Sequence, residues 1–209
     1  MTDSKARKSR MTRARQSGIG HLLCSVFLVT LLFGGCGSSE GGSASHPDYD
    51  RALAGAPAPL AAIHAEANEL LSGGVEGYEE RLEALRGFPV VANVWASWCG
   101  PCRLEFPHFQ RVAAAYGKRV AFLGIDSQDS DDAARTFLRE APVPYPSYTD
   151  PDGEIVKSIG ADRGLPDTAF YNRRGELTHL KQGPYTDVTA LRADVERHAL
   201  GSPRRVEGG

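Results

Sequence analysis

Two cysteines separated by two residues lie between an apolar run and a stretch with helical periodicity. The run PVVANVW at residues 89–95 is apolar enough for a buried strand, and Cys99-Gly100-Pro101-Cys102 follows it. A cysteine at a helix N-terminus has its thiolate stabilised by free backbone N–H groups and by the helix dipole. Pro101 suits the first helical turn, where a missing N–H costs nothing. This spacing at a strand-to-helix junction predicts a redox-active pair, Cys99 and Cys102.

Two other uses of the cysteine pair have to be weighed against redox chemistry. One CxxC motif could be half of a zinc site, but the sequence has no second CxxC, and its six histidines are scattered without HxxxH spacing. A purely structural disulfide is the other alternative, although closing so short a loop stabilises a fold little. We therefore expect thiol–disulfide exchange that uses no metal and no cofactor.

The residues around the motif resemble a known family. Residues 93–107, NVWASWCGPCRLEFP, are similar to the active-site segment of thioredoxin-like proteins of the TlpA/ResA type, which are extracytoplasmic thiol–disulfide oxidoreductases. Residues 164–171, GLPDTAFY, resemble the segment that carries the family's cis-proline, and the resemblance runs from about Val75 to Leu200. It implies an α/β, thioredoxin-like fold: a central mixed β-sheet flanked by helices, with a strand–helix insertion and an N-terminal helical extension.

The resemblance implies roles for the residues of the motif. Cys99 is the expected attacking thiolate, and Cys102 is the expected resolving thiol, more buried and with a higher pKa. Trp98 is expected to shield the disulfide and to pack beside the partner, with Gly100 and Pro101 in the same substrate groove. An ordinary half-buried tryptophan is the alternative for Trp98. The Gly-Pro dipeptide, which thioredoxin shares, favours a reducing protein, although it is only one influence on the potential.

Glu105 follows Cys102 by three residues and is predicted to lie on the same helical face. By resemblance it matches the family's buried glutamate, which is proposed to accept or relay the proton of the resolving thiol. Burial would raise its pKa towards neutrality. The alternative is an exposed glutamate that interacts favourably with the helix dipole.

Pro166 is expected in cis, opposite the cysteines, by the same resemblance. A cis bond there would turn the backbone of Leu165 towards an extended substrate peptide, which could pair with it as a strand does. The following Asp167-Thr168 resembles the Pro-Glu-Thr of the cytochrome c maturation branch, but one dipeptide does not assign a branch.

Residues 1–35 are predicted to be a signal peptide. A basic region precedes an apolar run of about a dozen residues from Leu22 to Phe33, which is short for a spanning helix of about 20 residues. Cys36 then resembles the lipidated cysteine of a bacterial lipoprotein, although Phe33 stands where an aliphatic residue is usual. An uncleaved signal anchor is the alternative. Either arrangement predicts an extracytoplasmic protein anchored to the cell membrane.

Charge separates this leader from the rest of the chain. Six basic residues and one acidic residue fall within residues 1–35, which leaves 18 basic against 25 acidic residues, a net charge of −7, in the remainder. The acidic remainder argues against nucleic acid as a partner. The expected partners are disulfide-bearing extracytoplasmic proteins and a membrane thiol donor.

Residues 36–56 are predicted to be a flexible Gly/Ser-rich linker, residues 57–200 the thioredoxin-like domain and residues 201–209 a disordered tail. Periodicity and turn residues predict the following elements: helices through residues 60–71 and 75–85, a strand at 89–95, a helix at about 99–116, a strand at 120–125, a helix capped by Asp129-Ser130, an inserted piece at 142–160 with a short helix, a hairpin of 168–171 with 177–180, and a last helix capped by Thr186.

The sequence thus predicts a membrane-tethered protein-disulfide reductase, with cytochrome c maturation as one setting that the resemblance suggests. An extracytoplasmic dithiol oxidant or a peroxide-handling redoxin is the alternative among enzymes. A peptide-binding module without turnover is the alternative from another class, although a module that only binds peptides needs neither thiol.

Overall fold

The computed structural model describes residues 46–201. Its strands are β1 Leu70–Leu71, β2 Val90–Trp95, β3 Ala121–Ser127, β4 Ser147–Asp150, β5 Asp167–Tyr171 and β6 Leu177–Gln182. Its helices are α1 Tyr49–Leu53, α2 Ala58–Ala65, α3 Gly74–Ala84, α4 Gly100–Tyr116, α5 Asp131–Glu140, α6 Glu154–Ser158 and α7 Val188–Asp194, and a π-helical turn, Val195–Ala199, follows α7.

The six strands form one mixed sheet in the order β1-β4-β3-β2-β5-β6. The first four strands in this order run parallel, and β5 and β6 add to β2 as an antiparallel pair. Every residue of β2 and β3 is buried, which explains why these strands are largely apolar on both faces and do not alternate between apolar and polar residues. The predicted thioredoxin-like fold, a mixed sheet flanked by helices, is confirmed.

Helix α4 packs its apolar side against the sheet. The edge-to-face contact between Trp95 and Phe106 joins β2 to α4, and Phe137 of α5 packs against both rings. Gly124 in β3 makes room for the Trp95 indole, because a Cβ there would lie 2.9 Å from the indole nitrogen and 2.0 Å from the Ser147 hydroxyl. This packing fixes the end of β2, from which the two cysteines follow.

The predicted helix through residues 60–71 is wrong in its second half. Helix α2 ends at Ala65, and Asn68 adopts a left-handed backbone conformation with φ 62°. Leu70 and Leu71 form the edge strand β1, paired with β4. Two adjacent half-buried leucines fit either a helix or a sheet edge, and only the long-range pairing decides between them.

The last helix begins one residue later than predicted. Asp187, rather than Thr186, is its N-cap, and the Asp187 carboxylate accepts hydrogen bonds from the N–H groups of Thr189 and Ala190. The remaining predicted elements are present, including the inserted strand–helix piece as β4 and α6 and the α5 cap, which is Ser130.

Helix α1 lies within the residues that were predicted to be linker. Leu53 is buried in the fold, and the Tyr49 hydroxyl donates a hydrogen bond to the carbonyl of Pro142. The fold therefore extends into the C-terminal part of residues 36–56. The predicted signal peptide, the lipidated Cys36 and all but the first residue of the predicted tail lie outside the described residues. Among residues 46–201, no helix has both the length and the apolar character needed to cross a membrane.

Candidate active site

The two cysteines form a disulfide at the N-terminus of α4, with their Cα atoms 5.3 Å apart. Cys99 is the N-cap of the helix, and its sulfur accepts a hydrogen bond from the N–H of Cys102 at 3.2 Å. Cys99 is 4% exposed and Cys102 is fully buried. The free N–H groups and the dipole of α4 therefore act directly on the Cys99 sulfur, as its predicted role as nucleophile requires.

Trp98 is exposed, at 61%. Its indole N–H donates to the carbonyl of Gln128 at 3.0 Å, so the ring is tethered at one end while its faces remain in water. It is therefore not the half-buried aromatic residue of the alternative interpretation. A large exposed apolar ring beside a disulfide can contact an incoming protein.

The Leu165–Pro166 peptide bond is cis, as the resemblance implied. Leu165 and Trp98 line one open groove of about 260 Å³, whose other walls include Gln128, Val156 and Arg163. Gly100 and Pro101, which were predicted to belong to the same groove, are exposed on α4 but do not line it.

Glu105 is fully buried in the first half of α4, one turn after Cys102. One carboxylate oxygen accepts a hydrogen bond from the N–H of Tyr185 at 2.9 Å, and the other has no hydrogen-bond partner. Burial raises the pKa of Glu105 to about 8, against the opposing effects of the Tyr185 N–H, the Lys181 charge and the Asn93 amide. The exposed glutamate of the alternative interpretation is excluded, and the buried carboxyl can exchange protons near neutral pH.

The end of β6 supplies Lys181, and the loop between β6 and α7 supplies the Tyr185 N–H that binds Glu105. The Lys181 ammonium donates to the carbonyls of Gln182, Gly183 and Pro184, and it lies 4.6 Å from the centre of the Tyr185 ring. The N–H of Gly183 binds Asp167, directly after the cis-proline, and burial raises the pKa of Asp167 as well. One loop thus holds two buried carboxyl groups close to one cation.

Comparison with known proteins identifies the family. The family model described as Redoxin matches residues 53–195. The chain belongs to the Redoxin family.

Relatives with described activities agree with this assignment and with the TlpA/ResA-type resemblance. The redoxin chain is 27% identical over 125 residues to the thiol-disulfide oxidoreductase ResA of Bacillus thuringiensis, across 59% of this chain and 72% of the relative. It is 38% identical over 105 residues to the thiol:disulfide interchange protein DsbE of Pseudomonas fluorescens, across 50% and 57% respectively.

A solved structure supports the same conclusion. The crystal structure of a Chlorobium tepidum protein, described as a DsbE thiol:disulfide interchange protein, is similar with a TM-score of 0.50 and 28% identity, across 55% of this chain and 82% of that one. With the CxxC disulfide at the helix N-terminus, the relatives identify this redoxin as a protein-disulfide oxidoreductase.

The sequence did not single out the residues that hold the active-site segment of this redoxin. Asp129 accepts the N–H of Ser97 at 2.5 Å, and Arg103 donates to the Ser97 carbonyl at 3.2 Å. Asp129 was predicted only as part of a helix cap, and no motif marks a carboxylate that binds a backbone N–H 32 residues earlier. In the part of the chain that the structure describes, no group of three or more His, Cys, Asp or Glu residues could hold a metal ion.

Proposed function

We propose that this redoxin reduces disulfides in extracytoplasmic partner proteins by dithiol exchange. The observation that carries the proposal is the pairing of Cys99, capped by the N-terminus of α4, with Cys102 and the buried Glu105 one turn further along the helix. This arrangement favours a thiolate at Cys99, at the N-terminus of α4. It also gives the Cys102 thiol a carboxyl group one turn away that can accept its proton.

The reaction proceeds in two exchange steps. The Cys99 thiolate attacks one sulfur of the partner disulfide, which forms a mixed disulfide and releases the other partner sulfur as a thiolate. Cys102 then loses its proton to Glu105 and attacks the Cys99 sulfur. The bond to the partner breaks, the partner leaves with two reduced sulfurs, and Cys99 and Cys102 end as the disulfide. A thiol donor must afterwards return two electrons to this disulfide.

The groove between Trp98 and Leu165 is the proposed substrate site. One wall of the groove is Trp98, the residue directly before Cys99, and the backbone of Leu165 and Pro166 is proposed to pair with an extended segment of the partner on either side of its disulfide. Trp98 would then cover the mixed disulfide from the other wall. Recognition through the backbone suits an enzyme that reduces several partners, since it depends little on their side chains.

We further propose that residues 1–35 direct export and that Cys36 carries the lipid that anchors the domain to the membrane. This placement would bring the active site to exported proteins, including the apocytochromes that a cytochrome c maturation role requires, and to a membrane thiol donor. Mass spectrometry of the membrane fraction tests the anchor: Cys36→Ser should leave an unprocessed precursor, while Cys24→Ser should be processed normally. An intact leader on the unsubstituted protein would reject the lipid anchor and leave a signal anchor in its place.

Reduction of insulin by the reduced domain tests the reaction itself. The unsubstituted domain should reduce insulin, Cys102→Ser should accumulate a mixed disulfide through Cys99, and Cys99→Ser should be inactive. Accumulation with Cys99→Ser and not with Cys102→Ser would reverse the two roles. Equilibration with glutathione then decides the direction of electron flow. A reductase should have a potential near that of thioredoxin, about −270 mV, and a potential near about −120 mV would indicate an oxidant.

A further inference from the structure

Another buried carboxyl group, that of Asp126, lies at the end of β3, beside the strand end from which the cysteines follow. Asp126 pairs in register with Trp95 of β2 and with Thr149 of β4, and the carboxyl ends of these parallel strands meet at one edge of the sheet. Asp126 is only 2% exposed, and its Oδ1 atom has no hydrogen-bond partner. A buried carboxyl group without hydrogen-bond donors is expected to hold a proton.

Asp129 has the opposite environment. Its Oδ2 atom accepts the N–H of Ser97 at 2.5 Å, and its Oδ1 atom accepts the N–H of Ser130 at 2.8 Å. Both oxygens of Asp129 thus have backbone N–H partners, whereas one oxygen of Asp126 has none. Asp129 follows Asp126 by three residues, and its charge and a side-chain hydrogen bond with it both raise the pKa of Asp126, so the two carboxyl groups are close enough to share a proton.

We propose that Asp126 and Asp129 form a carboxyl pair that shares one proton and positions the segment Ser97–Cys99, so that the reactivity of Cys99 depends on the charge of this pair. Asp129 holds the Ser97 N–H, and the neighbouring Gln128 holds the Trp98 indole through its carbonyl. The two contacts fix the residues directly before the nucleophile. Asp126 and Asp129 are positioning residues, because they act on Cys99 through this segment and through their charge.

The charged groups that act on Asp126 come from three elements. They are Asp129 in the loop after β3, Asp131 in the first turn of α5 and Asp150 at the end of β4. Asp150 is fully engaged at the start of α6, where its two oxygens accept the N–H groups of Ile155 and Val156. Burial first, and these like charges second, raise the pKa of Asp126 to about 8. Near neutral pH Asp126 therefore holds its proton, and above about pH 8 its ionisation adds one negative charge to the pair.

Ionisation of the pair and ionisation of Cys99 disfavour each other, because each places a negative charge close to the same segment. Ionisation of Cys99 should therefore hold the proton on Asp126 more tightly, and a second negative charge on the pair should disfavour the Cys99 thiolate. The inference rests on the proposed function only in taking Cys99 as the nucleophile. Its tests use the reaction of the thiol with a small reagent, so they do not depend on which partner proteins the redoxin reduces.

The first test is a carboxyl ¹³C NMR titration of the unsubstituted protein. In the oxidised state Asp126 should titrate near pH 8, and reduction should move its midpoint upwards by roughly half a unit, through the Cys99 thiolate. A midpoint near the ordinary value of about 4, or the same midpoint in both redox states, would overturn the proposal. This test needs no variant, so it stands even if Asp126→Asn does not fold.

The second test is the pH dependence of Cys99 alkylation by iodoacetamide in the reduced protein. Asp129→Asn keeps an acceptor for the Ser97 N–H but removes the charge, so alkylation below the midpoint should be roughly three- to tenfold faster. Asp132→Asn removes an equal charge from the first turn of α5, three residues later, and should change the rate less than about twofold. Asp126→Asn should remove the second titration from the profile. Equal effects of Asp129→Asn and Asp132→Asn would show a general charge effect and reject the pair.

Discussion

Two buried carboxyl groups of this redoxin have pKa values raised to about 8, for different physical reasons. Glu105 is desolvated inside α4, and most of its neighbours oppose the shift: an N–H of Tyr185, the ammonium of Lys181 and the amide of Asn93 favour its ionised form, while the charge of Asp167 adds a smaller rise. Asp126 is desolvated at the end of β3, and its charged neighbours reinforce the shift because all of those acting on it are carboxylates.

The comparison shows that a pKa of about 8 can result where most neighbouring groups oppose the effect of burial and also where they reinforce it. Removing the cation near Glu105 would raise its pKa further, whereas removing a neighbouring charge from Asp126 would lower its pKa. The two sites also lie near different cysteines: Glu105 lies one turn after Cys102, while Asp129, the proposed partner of Asp126, binds the N–H of Ser97 before Cys99. The predictions below separate the two sites, beginning with the largest effect.

The free energy of unfolding of the oxidised domain should fall as pH rises from 5 to 8. Both groups have folded-state pKa values above their ordinary values of 4.5 and 3.8, so in this range the folded state holds protons that the unfolded state has lost. Each contributes stability that is present below the ordinary value and is lost as pH rises through about 8. The loss is up to about 1.4 kcal/mol per pH unit for each group, or about 4 kcal/mol over the range.

Urea unfolding at four pH values measures this slope. Glu105→Gln and Asp126→Asn should each flatten it, and the exposed Asp132→Asn should leave it as it is. A slope that neither buried variant changes would mean that both carboxyl groups are ionised in the folded protein.

Resolution of the mixed disulfide should depend on Glu105. The ionised form accepts the Cys102 proton, so the rate should rise with pH to a plateau above about 8, where Glu105 is ionised. Glu105→Gln should lower that plateau by roughly 100-fold, the usual range for a lost general base, and should remove the Glu105 limb of the profile. Loss of the negative charge should also lower the thiol pKa values, since like charge no longer opposes thiolate formation. Stopped-flow quenching measures the step, with the exposed Glu76→Gln as control. If the variant's pH–rate profile overlays that of the unsubstituted protein, Glu105 has only a structural role.

Replacement of Lys181 should act on one carboxyl group and not on the other. Lys181→Met removes the cation near Glu105, so the midpoint of Glu105 should rise by roughly half a unit to one unit, while Asp126 should be unchanged. Lys181→Arg should restore the midpoint, because it restores the charge. Carboxyl ¹³C titration gives both values, and Lys157→Met on α6 is the matched control. Equal shifts of Glu105 and Asp126 would contradict the separation of the two sites.

Replacement of Asp131 should give the smallest effect, a fall in a carboxyl pKa, whereas Lys181→Met gives a rise. Asp131→Asn removes one of the like charges that act on Asp126, so the Asp126 midpoint should fall by a few tenths of a unit. Glu105 should not respond in the same NMR titration. Asp132→Asn, from the same turn, should change the midpoint of neither group. If it lowered the Asp126 midpoint as much as Asp131→Asn does, the effect would come from the net charge of the protein and not from Asp131 itself.

The sequence was sufficient to predict the parts of this molecule that local chemistry determines. The redox-active CxxC motif follows from its own residues and spacing, whereas the burial of Glu105 and the cis bond at Pro166 are implied by the resemblance of their segments to the TlpA/ResA type. Leu70 and Leu71 were assigned to a helix because a short apolar pair has no period of its own, and their strand depends on pairing with β4.

The parts that could not be predicted depend on residues that are distant in the chain. Asp126 looks like the polar end of a strand, and its burial depends on β2 and β4, which flank it. Asp129 lies beside a helix cap, and its bond to Ser97 exists only after β2 and β3 have paired. Thr186 and Asp187 are both good capping residues, so the sequence alone could not choose between them.

The two tryptophans of this chain lie three residues apart in opposite surroundings. The Trp95 indole is sealed in the core and donates to the Ser147 hydroxyl, whereas the Trp98 ring is in water next to the disulfide. The buried Trp95 should therefore emit at shorter wavelength and report on the folding of the core. The exposed Trp98 should emit at longer wavelength and report on binding and redox changes at the cysteines. Collisional quenching by iodide should reach only Trp98, so the unlabelled protein should carry its own optical readout of partner docking and an internal reference for it.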